Sequence, residues 1–168
     1  MKKILLVFTA LCAIALLSHS AQAQFKNGKD MIGPHIGLSQ YGGAFTLGGM
    51  FEAPITHPND AGPGIIGISG QLNWYHYSYY LDNGVTWIIF GVYGNYHFLL
   101  DDRKIDPFLG LGLNYQHVSF DGSGYGYGSG LYFGVQAGVR YYFSPNLAGR
   151  LMVGNAASFL TLGIDFGI

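Results

Sequence analysis

The sequence predicts an all-β protein, an eight-stranded antiparallel up-and-down transmembrane β-barrel. Three observations lead there. First, residues 130–143 place Leu131, Phe133, Val135, Ala137, Val139, Tyr141 and Phe143 on odd positions, and Tyr132, Gly134, Gln136, Gly138, Arg140 and Tyr142 on even ones. A side-chain period of two belongs to a strand whose faces meet different surroundings, and roughly 9–11 residues of tilted strand cross a bilayer. Second, the same alternation recurs in seven further runs. Third, charged residues are only 10% of the chain, against a usual ~25%, and one face of every run carries none.

The elements follow in order. A first strand spans 31–40, with Ile32, Ile36 and Leu38 opposite His35, Gly37 and Ser39, and Tyr41-Gly42-Gly43 turns it. A second, 44–53, sets Phe45, Leu47, Gly49 and Phe51 against Thr46, Gly48, Met50 and Glu52. Residues 54–63 hold Pro54, Pro58, Asn59, Asp60, Gly62 and Pro63 and form a connection. A third strand, 64–78, faces Ile66, Ile68, Leu72 and Trp74 outward and Ser69, Gln71, Asn73, Tyr75 and Tyr77 the other way. Asp82-Asn83-Gly84 is a turn signal within 79–85. The fourth strand, 86–98, sets Ile88, Phe90, Val92, Tyr96 and Phe98 against Trp87, Tyr93, Asn95 and His97. Asp101-Asp102-Arg103-Lys104 is a solvated turn. The fifth, 107–119, alternates Leu109, Leu111, Leu113 and Tyr115 with Gly110, Gly112, Asn114 and Gln116. A Gly/Ser/Tyr loop, 121–130, leads into the sixth strand. Ser144-Pro145-Asn146 turns into a seventh at 147–154, and Asn155 to Ala157 into an eighth at 158–168.

Residues 1–23 read as a secretory signal peptide: Lys2 and Lys3, an apolar run, then Ala21-Gln22-Ala23. The expected mature domain is therefore 24–168. Cys12, the single cysteine, falls in the leader, so no disulfide or thiolate metal site is expected in the domain. Six basic residues against nine acids leave it near −3, with no basic patch for nucleic acid. An exported chain places 54–63, 99–106 and 144–146 on the periplasmic side and 41–43, 79–85, 120–130 and 155–157 outside. The first periplasmic connection is long for such a barrel, whose periplasmic turns are usually short.

A soluble lipocalin-like barrel binding a small apolar ligand is the competing architecture, with its apolar face inward. A water-facing exterior needs Lys and Glu, which the non-apolar faces lack. An arginine facing mid-bilayer costs about 2–4 kcal/mol, and the apolar face avoids it throughout. Aromatics gather at strand ends: Trp74, Tyr75, Tyr77, Tyr79, Tyr80 and Phe120 at the outer end, and Phe51, Phe98, Phe108, Tyr141 and Phe143 at the inner. That pair of girdles fits two membrane interfaces.

The segment Lys104-Ile105-Asp106-Pro107-Phe108-Leu109-Gly110-Leu111-Gly112-Leu113-Asn114-Tyr115 resembles the fifth strand of small outer-membrane β-barrels of the OmpA/OmpX-like superfamily. Residues 138–148, from Gly138 through Ser144-Pro145-Asn146 to Ala148, resemble its sixth strand, periplasmic turn and seventh strand. The resemblance implies the outer membrane of a Gram-negative bacterium, with lipid and lipopolysaccharide around the barrel and barrel-assembly machinery and periplasmic chaperones during biogenesis. It departs at the end, where Phe166 is followed by Gly167 and Ile168 instead of closing the chain on an aromatic. No peptidoglycan-binding domain follows, so the wall-tethering role of longer members is not expected.

Inward parity puts Glu52, Arg140, Arg150 and Asp165 in one half of the lumen. Arg140 and Arg150 flank the 144–146 turn symmetrically and should face each other, which like charges tolerate only with acids nearby. Glu52 and Asp165 are the acids expected on that face, giving an ion-pair cluster that plugs the lumen, as a fixed plug in preference to a rearrangeable ion gate. His117-Val118-Ser119 is similar to the active site of lipid A deacylase barrels. That chemistry needs a nucleophile, a base and an orienting acid; here Phe120 follows the serine and Asp121 is the nearby acid. Gly122 to Gly130 lacks the helix a phosphate loop requires. His35, His57, His76 and His97 lack a shared face at ligand spacing, and His57 lies in a turn, so neither a metal site nor any cofactor is expected. The first expectation is a non-enzymatic barrel serving envelope integrity or surface interaction, ahead of a lipid A-modifying enzyme and the soluble barrel.

Overall fold

The computed structural model describes residues 25, 28–39, 44–58, 60, 62–79, 83–120 and 128–168. The proposed leader, the loop tip 121–127 and Asp82 lie outside them. Eight strands run in chain order: β1 Met31–Ser39, β2 Phe45–Pro54, β3 Gly64–Tyr79, β4 Asn83–Phe98, β5 Ile105–Phe120, β6 Gly130–Ser144, β7 Leu147–Gly154 and β8 Ser158–Gly167. Each pairs antiparallel with the next, and β8 closes on β1, so the sheet has no free edge. The start of β1 and the end of β8 share one end of the barrel, where Ile168 N donates to Asp30 O at 2.9 Å. We call this the near end, and the end of the long β3–β4 hairpin the far end.

The two faces carry opposite chemistries, and they sort as in a membrane protein. Outward positions include Ile36, Leu72, Phe90, Leu111, Phe133 and Leu162, with Leu111 60% exposed. Among the described residues, no Asp, Glu, Lys or Arg stands on the outward face of a strand. Inside, Glu52, Ser69, Asn95, His97, Asn114 and Arg140 are all 0% exposed. A water-soluble barrel has the reverse arrangement, so the lipocalin-like alternative does not describe this chain.

Three sequence expectations need correction. β3 and β4 pair out to Tyr79↔Asn83, so Asn83 and Gly84 lie in the ladder and three residues separate the strands. β5 begins at Ile105, because Asp106 and Pro107 pair with Arg140 and Val139. Pro107 is tolerated there because pairing with β4 stops at Phe108, leaving β5 one-sided at that point. Last, Tyr75 and Phe108 point inward at 0% and 1% exposure and belong to no girdle; Phe120 packs on the inner cluster with Tyr75. Trp74, Phe51, Phe98 and Tyr141 do face outward; the side chains of Tyr79 and Tyr80 lie outside the described residues.

The interior is layered. At the far end Tyr75, Val85, Trp87, Ile89 and Ala157 form an apolar cluster. A band of amides and hydroxyls follows, then a charged layer. At the near mouth Phe25, Met31, Ile65, Tyr142 and Ala148 form a second apolar cluster. Packing is close in the polar band: a Cβ on inward Gly134 would lie 2.3 Å from Tyr93 Oη. At the start of the long 55–63 connection, Ile55 N donates to Ile66 O (2.9 Å) and Ile66 N to Thr56 Oγ1 (2.9 Å).

Candidate functional site in the barrel lumen

The charged layer is assembled from strands distant in sequence. Register places Arg140 opposite Arg150 across β6 and β7, and opposite Asp106 across β5 and β6. Arg140, fully buried, donates from Nη2 to Glu52 Oε2 and from Nε to Asp165 Oδ2 at 2.7 Å. Its Nη1 lies 3.8 Å from Asp106 Oδ2. Arg150 Nη2 lies 3.4 Å from Asp165 Oδ1. The four residues expected in the lumen, Glu52, Arg140, Arg150 and Asp165, thus meet there.

Sequence reasoning missed three members. Asp106 was hidden by starting β5 at Pro107, so Glu52 and Asp165 are not the only acids on that face. His97 lies between two carboxylates, with Nε2 3.0 Å from Glu52 Oε1 and Nδ1 2.8 Å from Asp106 Oδ1. Ionised carboxylates only accept, so with both acids ionised both ring nitrogens of His97 donate and the ring carries the charge. His35 is the neutral counterpart: Arg150 Nη2 donates to its Nδ1 (3.2 Å), leaving the proton on Nε2 to reach Asn73 Oδ1 (2.7 Å). Arg140, Arg150 and His97 thus stand against the three acids Glu52, Asp106 and Asp165. His35 and His97 both point into the lumen, as their alternation within β1 and β4 put them, and that inward parity was the available signal for their joining the charged layer.

The network continues upward without a break. Gln71 Nε2 donates to Gln136 Oε1, Gln136 Nε2 to Asn95 Oδ1, both at 2.7 Å, and Asn95 Nδ2 to Glu52 Oε1 at 2.5 Å. Glu52 therefore accepts from Arg140, His97 and Asn95 at once. Three donors on one carboxylate are what lets its charge persist when buried. Among the described residues, no group of three or more His, Cys, Asp or Glu is placed to hold a metal ion. Depressions of about 570 and 510 Å³ lie on the wall around Pro34 and Gly48.

The other candidates, His117 and Ser119, face outward at the far end of β5. Ser119 pairs across the sheet with Thr86. His117 Nδ1 faces Ser129 Oγ at 3.4 Å, and Asp121 lies outside the described residues.

No protein-family model matches the chain, and no curated protein matches its sequence. Solved structures do match in fold. A de novo designed transmembrane β-barrel superposes with a TM-score of 0.58 at 16% identity, over 84% of this chain and 96% of the other. The N-terminal β-barrel domain of Pseudomonas aeruginosa OprF gives 0.54 at 16%, over 84% and 98%. Ail, the attachment invasion locus protein of Yersinia pestis, gives 0.53 at 14%, over 83% and 95%. A designed barrel fits as well as natural ones, so the likeness is one of architecture. In strand number, closure and inside-out distribution of polarity, the chain has the fold of the small OmpA/OmpX-like outer-membrane β-barrels.

Proposed function

We propose that this chain is an integral outer-membrane protein without enzymatic activity, exported by residues 1–23 and serving envelope integrity or surface interaction. Its lumen is closed by the Glu52–Arg140–Asp165–Arg150 cluster, and its partners are outer-membrane lipid and lipopolysaccharide, with barrel-assembly machinery and periplasmic chaperones acting during biogenesis. The near end then faces the periplasm. The observation that carries this reading is the uncharged outward face of eight closed strands: only hydrocarbon makes that wall cheaper than one bearing Lys and Glu. A lumen filled by its own paired side chains supports structure over conduction. The lipid A-modifying reading gains no support from His117, whose ring faces Ser129.

Spin labels at Leu111, Val135 and Ile164, all on the wall, test the proposal in cells and in vesicles. Fractionation with the outer membrane and an oxygen-accessible, water-shielded signal at all three sites are expected. Wet labels at these sites would overturn it.

A further inference from the structure

The segment ahead of β1 is not a passive lead-in. Gly28, at a φ of +70°, donates from its N to Phe25 O (3.2 Å). Lys29 Nζ donates to Asn146 Oδ1 at 2.5 Å, tying the segment to the β6–β7 turn. Phe25, 2% exposed, thereby enters the near mouth. Its ring stacks on His97 at 4.1 Å and 20°, and the Arg140 guanidinium stands 5.6 Å from its centroid. Met31, Ile65, Tyr142 and Ala148 complete the cluster, one from each of four strands. There is a dedicated seat for the ring: a Cβ on Gly67 would lie 2.8 Å from Phe25 and 3.0 Å from Glu52 Oε1.

We propose that Phe25 is a removable lid, closing the near mouth over the charged layer and able to leave while the barrel stays folded. Three features separate a lid from a core residue. Phe25 lies outside the strand ladder, so no interstrand bond depends on it. It meets the cluster by ring faces, stacked on His97 and beneath Arg140. The acids and cations pair among themselves without it. Contacts of this kind hold a segment whose opening costs less than global unfolding. With the ring gone, His97 and Arg140 lose their apolar cover and water from that side reaches them. The inference rests on the closed lumen proposed above.

The test places a single cysteine at Ala148, fully buried in the cluster, in the full chain carrying Cys12→Ser. Its labelling by a small water-soluble thiol reagent is measured in lipid vesicles, with folding followed by heat-modified gel mobility. Phe25→Ala should speed labelling at least about tenfold at unchanged mobility, and Phe25→Trp should keep the cysteine protected. Gly67→Ala, which fills the seat with Phe25 still present, should also expose it. A parallel cysteine at Ser69, deeper in the lumen, separates the two readings. Equal labelling of the Ala148 cysteine with and without Phe25, the Ser69 cysteine staying protected, would overturn the lid alone. Free labelling at Ser69 with Phe25 in place would overturn the closed lumen and the lid together.

Discussion

The two halves of the lumen are filled by opposite means. Toward the near end the space between strands holds six ionisable side chains, each answered by another from a different strand. Toward the far end it holds Tyr75, Val85, Trp87, Ile89 and Ala157, with Tyr75 stacked on Trp87 at 5.6 Å and 8°. Both fill the interior of an eight-stranded barrel, a cross-section just wide enough for side chains. The difference lies in how each solution fails. An apolar neighbour that loses its partner forfeits contact area, whereas a buried ion that loses its partner keeps its charge. The near half should therefore break sharply and the far half by degrees.

The largest effect is expected from Glu52→Ala, which removes the acceptor shared by Arg140, His97 and Asn95. A loss of about 3–5 kcal/mol is expected, measured by urea unfolding in vesicles; unchanged stability would remove the distinction between the halves. Trp87→Ala at the far end should cost about 3 kcal/mol, and the cavity should be partly recovered by a refilling aliphatic side chain. Neutral groups between the halves come next. Gln71→Ala leaves Gln136 Oε1 without its donor and should cost about 1–3 kcal/mol, toward the lower end if water enters. The smallest effect is the non-additivity of Glu52→Ala with Trp87→Ala. Glu52 pairs with Ser69 and Trp87 with Tyr75, roughly 20 Å apart along β3 at strand rise. Their losses should sum within about 0.5 kcal/mol; a larger mismatch would make the lumen one cooperative unit.

Much of this was legible from alternation. The wall followed from parity, since Leu109, Leu111 and Leu113 or Leu160, Leu162 and Ile164 can face only one way once a strand is granted. Parity also brought Glu52, Arg140, Arg150 and Asp165 to one compartment. It failed at strand ends. Asp106 was lost because a proline next to it resembled a beginning, and local sequence does not reveal that β5 has a single neighbour there. Phe108 and Tyr75 were taken for girdle residues because an aromatic near a strand end serves either face. Phe25 carried no signal, standing in a polar stretch outside any period.

By itself, then, the sequence determined the strand count and the apolar and polar face of each strand, because these depend on a two-residue period that each run carries internally. The tertiary structure alone decided which ions meet. Glu52 and Arg140 are 88 residues apart, and β1 carries His35 to Arg150 on β7 only because β8 closes the ring. Barrel closure and the stagger of neighbouring strands set those encounters, and both are properties of the whole sheet that no single strand encodes.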